Sequence, residues 1–189
     1  MQLSGDGERL LPRSALAVEL QKRSKMKVVN VMSEEEIFCG PHANLAAAAE
    51  LLWNQDLGFL PVVDDEQKVI GVVTDRDLLI ALCTRNRLPR EVTVGEVCSG
   101  TVHLCYADDD IHTALQTMAR EQVRRLPVVD HKGTLQGILS MDDVVDRSEP
   151  VRPGGTSELS FEVVMRTLKR IYVPRVRFRK NNSAPGDVP

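Results

Sequence analysis

The hydrophobic positions along this chain change their period in a fixed order, and the order runs twice. In the first run, Ile37-Phe38-Cys39 has the apolar density of a short strand, which Pro41 ends. The alanine-rich stretch from Leu45 to Trp53 predicts a helix, with Asn44 as its N-cap and Gly58 helping to terminate it. Leu60 to Val63 and Val69 to Val73 are β-branched runs separated by the charged turn Asp64-Asp65-Glu66-Gln67-Lys68, the pattern of an antiparallel hairpin. Asp75 to Leu82 then opens a second helix directly after its strand. In the second run Asp110 takes the cap, Lys132-Gly133 the turn, and Met141 to Val145 the closing helix. Each run therefore reads as one βαββα unit.

Direct self-comparison gives the same answer. Leu60-Pro61-Val62-Val63-Asp64 recurs 66 residues later as Leu126-Pro127-Val128-Val129-Asp130, and Gly71, Thr74 and Asp77 recur at that offset as Gly137, Ser140 and Asp143. Between 58–77 and 124–143, seven of twenty positions are identical without a gap, where about one is expected by chance. One unit of about 55 residues leaves a sheet face uncovered and is marginal alone. Two such units packed sheet to sheet remove the problem, so the expected fold class is α+β, a tandem repeat of βαββα units plus a C-terminal helix.

The expected organisation is an N-terminal extension over 1–25, a first unit over 26–86, and a second over 90–147. The polar segment Arg85 to Pro89 joins the units, and Pro150, Pro153, Gly154 and Gly155 mark 148–156 as a linker. Thr156 is placed to cap a helix from Ser157 to about Tyr172, with Leu159, Val163, Leu168 and Ile171 near one face and Pro174 as its stop. The end, 174–189, is a basic tail.

Charge changes the picture in one respect. The net charge of -3 divides into +4 over 148–189, with 8 Lys/Arg and 4 Asp/Glu, and -7 over the rest. Such a tail suits an acidic surface, but its cluster is short, has Tyr172 and Phe178 alone for stacking, and matches no nucleic-acid motif. No apolar stretch approaches the roughly 20 residues that cross a bilayer, and Met1 to Arg13 lacks the apolar run of a secretion signal. A cytoplasmic protein is expected. Cys39, Cys83, Cys98 and Cys105 form no C-x-x-C pair, and His42, His103, His112 and His131 no metal-ligand spacing, so reduced thiols and no metal site are expected.

The chemistry sits where strands meet helices. Gly71-Val72-Val73-Thr74-Asp75-Arg76-Asp77 and Gly137-Ile138-Leu139-Ser140-Met141-Asp142-Asp143 each place free backbone amides, a hydroxyl and, three residues on, a carboxylate at a helix start. Amides and hydroxyl suit a phosphate, and a carboxylate one turn away suits the two hydroxyls of a ribose. Ser/Thr-x-x-Asp is equally the signature of a capping box, in which the same groups satisfy helix amides.

The paired junctions and the two Leu-Pro-Val-Val-Asp hairpins resemble a tandem cystathionine-β-synthase (CBS) domain, or Bateman module, over roughly 26–147. That resemblance implies two clefts between CBS units, binding AMP above all, or ADP, ATP and related adenosyl ligands, without chemical turnover. It implies that Thr74 and Ser140 meet phosphate, Asp77 and Asp143 meet ribose, and Val72 and Ile138 flank the base. Arg124 and Arg125 match positions where relatives place phosphate-contacting basic side chains, and their first-copy counterparts are Gly58 and Phe59. Arg76 reaches a phosphate from the other junction, whereas its counterpart Asp142 repels one. Unequal clefts follow, one tighter and one weak. Disc-like pairing of modules through their helices makes a homodimer the expected assembly.

Two readings of function result. In the first, ligand-biased orientation of the two units is read by a downstream protein, and the chain is a sensor with no catalytic residue. In the second, the clefts are vestigial and a scaffold contacts its partner through the C-terminal helix and basic tail.

Overall fold

The computed structural model describes residues 26–34, 37–151 and 157–173. The first unit contains α1 (Leu45–Asn54), β1 (Phe59–Val63), β2 (Val69–Thr74) and α2 (Asp75–Thr84). The second contains β3 (Cys105–Tyr106), α3 (Ile111–Glu121), β4 (Arg125–Val129), β5 (Leu135–Ser140) and α4 (Met141–Asp146), and α5 (Phe161–Tyr172) follows. Both hairpins are antiparallel, and both slip register at the same place, between Val62 and Val63 and between Val128 and Val129. The repeat is thus preserved down to its irregularities.

Local chemistry explains the helix starts. Asn44 Oδ1 accepts from Ala47 N–H at 3.0 Å, and Asp110 Oδ1 accepts from His112 N–H at 2.8 Å, so both predicted caps hold. Three expectations change. The strand at 37–39 shrinks to one parallel bridge, Cys39 to Val62, because Gly40-Pro41 breaks the extended run at once, whereas its counterpart β3 is a two-residue strand. Gly58 does not turn the chain after α1: the left-handed residue is Asp56 at φ 52°, matched 66 residues on by Gln122 at φ 58°. The C-terminal helix starts later than expected, at Phe161, with Ser160 Oγ accepting from Val163 N–H at 3.3 Å. Residues 157–160 are held instead by Glu149, whose N–H donates to Leu159 O and whose carbonyl accepts from Phe161 N–H. Thr156, Pro174 and the tail lie outside the described residues.

Two cores form. One gathers residues of α1, β1, β2 and α2 with Val92 and Val94. The other gathers α3, β4, β5 and α4 with Leu159, Val164 and Ile171 from around α5, and also Val28 and Val31 from the start of the described chain. Each core is closed by a 3₁₀ turn at equivalent positions, Val94–Glu96 and Val28–Asn30. Residues 26–32 therefore precede the first unit in sequence but pack in the second core.

The units adjoin along their sheets about a pseudo-twofold axis. Lys68 and Thr134, equivalent residues of the two turns, pair with each other. On either side Val69 N–H donates to Gly133 O at 3.1 Å and Leu135 N–H to Gln67 O at 3.2 Å. Further out, Ser33 pairs with Ile138 and the equivalent Ser99 pairs with Val72. The repeated glycines are the residues that permit these crossings. A Cβ on Gly137 would lie 2.2 Å from Ser33 O, and one on Gly71 would lie 3.0 Å from Cys98 Sγ and 3.2 Å from Ser99 O.

Candidate functional site

At the first junction, Thr74 N–H and Oγ1–H donate to Asp77 Oδ2 at 2.9 and 2.6 Å, and Asp77 N–H donates back to Thr74 Oγ1 at 3.3 Å. At the second, Ser140 N–H and Oγ–H donate to Asp143 Oδ2 at 2.8 and 2.5 Å, and Asp143 N–H donates to Ser140 Oγ at 3.1 Å. Both are complete capping boxes. The hydroxyl protons expected to meet phosphate are spent on carboxylates, and a phosphate reaching either junction must displace that bond. Each carboxylate uses one oxygen in its box; Oδ1 of Asp77 and of Asp143 has no hydrogen bond among the described residues.

The second junction opens into a cleft of about 260 Å³ between the repeats. Ile138, Ser140, Asp142, Asp143 and Arg125 line it from the second repeat, and Ser33, Ile37, Asp56, Leu57 and Phe59 from the first side of the chain. Four of the nine residues singled out from sequence, Arg125, Ile138, Ser140 and Asp143, are brought together here. Val72, Thr74, Arg76 and Asp77 stand at the other junction, where Val72 carries the bridge to Ser99 and Arg76 is exposed on the first turn of α2.

Arg124 does not join the cleft. Its Nη1 donates to Tyr172 Oη at 3.2 Å, and the guanidinium lies 5.9 Å above that ring. It is a clasp between the bend before β4 and α5, away from the residues that line the cleft. The split falls at the strand's edge: Arg124 belongs to the bend that precedes β4, whereas Arg125 is its first residue. Arg125 faces the cleft, where it pairs with Asp142 Oδ2 at 3.2 Å.

The cleft is consequently acidic, with Asp56, Asp142 and Asp143 facing the single guanidinium of Arg125. Ser33, Ile37, Asp56 and Leu57 escaped the sequence reading because they lie on loops and come from the other repeat. The 66-residue offset relating Ser33 to Ser99 and Asp56 to Gln122 was the signal available for them.

The family model for the CBS domain matches residues 28–84 and 94–149. Hypoxic response protein 1 of Mycobacterium tuberculosis is 32% identical over 116 residues, covering 61% of this chain and 80% of that protein. A crystal structure of hypoxic response protein I with two coordinated zinc ions superposes with a TM-score of 0.60 at 30% identity, over 66% of this chain and 100% of that one. Among the described residues here, no group of three or more His, Cys, Asp or Glu is placed to hold a metal. The structure of CBSX2 in complex with AMP superposes with a TM-score of 0.57 at 29% identity, covering 64% of this chain and 93% of that one. Inosine-5'-monophosphate dehydrogenase of Methanocaldococcus jannaschii is 28% identical over 128 residues, which span 24% of the enzyme. With two adjacent CBS matches on a duplicated α+β frame, this chain belongs to the CBS domain family.

Proposed function

We propose that the chain is a non-catalytic regulatory module that binds an adenosyl ligand in the cleft at the second junction. The observation that carries this reading is the meeting of Ile138, Ser140 and Asp143 with Ile37, Leu57 and Phe59 in one inter-repeat cleft. Apolar side chains are there to flank a base, and the uncommitted Oδ1 of Asp143 is there to accept from a ribose. The AMP bound by CBSX2, a similar CBS protein, supports the same ligand class.

The charge of the cleft sets the ligand's charge. Three carboxylates against one arginine, already paired, disfavour each added phosphate by repulsion in a partly desolvated space. AMP is the expected nucleotide, with ADP weaker and ATP weakest, and an adenosyl compound without phosphate is also accommodated. The first junction, with Thr74, Asp77 and Arg76, is the second and weaker site. Binding at 100 times the dissociation constant stabilises the bound arrangement by about 2.7 kcal/mol, enough to bias the orientation of the units for a downstream protein.

Calorimetric titration with adenosine, AMP, ADP, ATP and S-adenosylmethionine tests the assignment. Asp143→Asn keeps an acceptor for the capping box but removes the charge, and at least a tenfold loss of AMP affinity is expected. Asp77→Asn should leave the tighter site unchanged. Absence of any adenosyl binding, or wild-type affinity in Asp143→Asn, refutes the site. In that case the closed capping boxes favour the scaffold reading, with α5 as the contact element.

A further inference from the structure

α5 lies beyond the second CBS match, which ends at residue 149, and its packing on the second unit encloses a space that the repeats alone do not have. A groove of about 400 Å³ runs between α3 and α5, the size of a small-molecule site. His112, Gln116 and Arg120 stand one turn apart along its α3 wall, and Arg166 and Arg170 one turn apart along its α5 wall. Leu115 and Ala119 are buried beneath them and Val163 is half-buried. Thr167, also buried, donates its hydroxyl to Val163 O at 3.0 Å. The rim that a ligand meets is therefore polar and cationic.

These cations are unmatched among the described residues. No carboxylate lines the groove. Arg120 gives its Nε to Glu121 Oε1 at 2.5 Å, which leaves both terminal amino groups of its guanidinium without a partner there. Arg166 and Arg170 make no hydrogen bond or ion pair among the described residues, although Glu162 lies one turn before Arg166 on α5. Like charges four residues apart weaken a helix, and a third guanidinium on the facing wall adds to the repulsion. Nothing in the duplicated frame requires this arrangement: 66 residues earlier, Ala46, Glu50 and Asn54 stand where α3 has His112, Gln116 and Arg120. In a chain of net charge -3, three guanidinia line one groove, and a bound anion relieves them.

We infer that this groove binds a compact polyanion, two or more phosphate groups on a small frame, held by Arg120 from α3 and by Arg166 and Arg170 from α5. Guanidinium forks give paired hydrogen bonds to phosphate oxygens, and Gln116 and His112 supply further polar contacts. Two features select clustered phosphates over an acidic peptide or a nucleic acid. No Phe, Tyr or Trp lines the groove for a base to stack on, and none of its apolar residues is exposed to anchor a peptide. Because the guanidinia come from two elements, the ligand clamps α5 onto the second unit. The groove shares no residue with the cleft at the second junction, so either site can fail alone.

Inorganic triphosphate, which carries no adenosyl group, is the probe, titrated into the full chain by calorimetry. Saturable binding that weakens with added salt is expected, and prior saturation with AMP should leave it unchanged. Arg166→Gln/Arg170→Gln, and Arg120→Gln on the facing wall, should each lower triphosphate affinity about tenfold, with AMP affinity and the circular dichroism spectrum as in the wild type. Arg177→Gln/Arg179→Gln in the basic tail controls for diffuse attraction and should stay within about twofold of wild type. Hydrogen exchange of the 161–172 amides should slow when triphosphate binds. Cosedimentation with phosphatidylcholine vesicles carrying a bisphosphorylated phosphatidylinositol separates the sources of such phosphates: retention that Arg166→Gln/Arg170→Gln abolishes assigns a lipid headgroup, and no retention assigns a soluble ester. Absence of triphosphate binding at millimolar concentration, displacement by AMP, an equal loss in the tail variant, wild-type affinity in either groove variant, or α5 amides that exchange as fast with triphosphate as without it would overturn the inference.

Discussion

The two repeats share one backbone plan and differ in how it is finished. The first has an open helical face, a bulky Trp53 and a basic Arg76 at its junction; the second has a face covered by α5, a small Ala119 and an acidic Asp142. Duplication supplied two equal frames, and side chains then gave them different surfaces. The second junction opens into a mixed polar and apolar cleft, and the first unit keeps an apolar groove between its helices. Asp56 and Leu57 line both spaces. Whatever occupies one therefore touches the wall of the other, and linkage requires that any effect of a cleft occupant on a groove occupant be matched by an equal effect in return.

The sharpest way to break the equivalence is at the glycines. Gly137→Ala drives a methyl group against the Ser33 carbonyl 2.2 Å away, severing the paired hydrogen bonds of Ser33 with Ile138 at 2.9 and 3.0 Å. A loss of about 3 kcal/mol is expected. Gly71→Ala meets mainly the Cys98 thiol at 3.0 Å, a side chain with room to shift, and should cost about 1 kcal/mol. Urea midpoints at constant slope measure the pair, and equal losses would show that the two crossings are alike after all.

The frame was legible in the sequence because its determinants are local and duplicated. Asn44 and Asp110 cap their helices through their own side chains, and the hairpins are written in β-branched runs between turn residues. The site was half legible. Thr74/Asp77 and Ser140/Asp143 were placed correctly at helix starts, but a three-residue spacing fits a capping box and a ribose clasp equally well, and the structure shows the boxes closed. The remaining cleft walls, Ser33, Ile37, Asp56 and Leu57, are brought in by the other repeat and carry no local signature. Arg124 and Arg125 show the limit of position matching: adjacent at the start of β4, one in the bend and one in the strand, they turn to a tyrosine and to the cleft.

The capping boxes permit a smaller test of the same comparison. Ser140→Ala and Thr74→Ala each remove an acceptor from a helix N-terminus, at a cost of about 1 kcal/mol. Ser140 is buried and Thr74 half-buried, so thermal denaturation should place Ser140→Ala lower. An indistinguishable pair would argue that burial at the second junction contributes little.

The smallest effect concerns the thiols. Burial pushes Cys39 up to about 11 and Cys105, its counterpart, up to about 12, because a thiolate is poorly stabilised away from water. At pH 8 both remain protonated and unreactive, while the exposed Cys83 should label with a disulfide reagent. Burial also raises Cys98, to a lesser degree, so it should label more slowly than Cys83. Rapid labelling of Cys39 or Cys105 in the native chain would mean that its core opens readily, and mass mapping of the labelled sites distinguishes the two.

The placement of the 3₁₀ turns has a topological consequence. Val94–Glu96 completes the core that immediately precedes it, and Val28–Asn30 does the same service for the core at the opposite end of the chain, whose approach to α5 is tied by Met26 N–H donating to Glu158. Each core is thus sealed by the segment that leads into the other unit. A cut that isolates 26–86 therefore strips one core of Val92 and Val94 and hands it a fragment belonging to its neighbour.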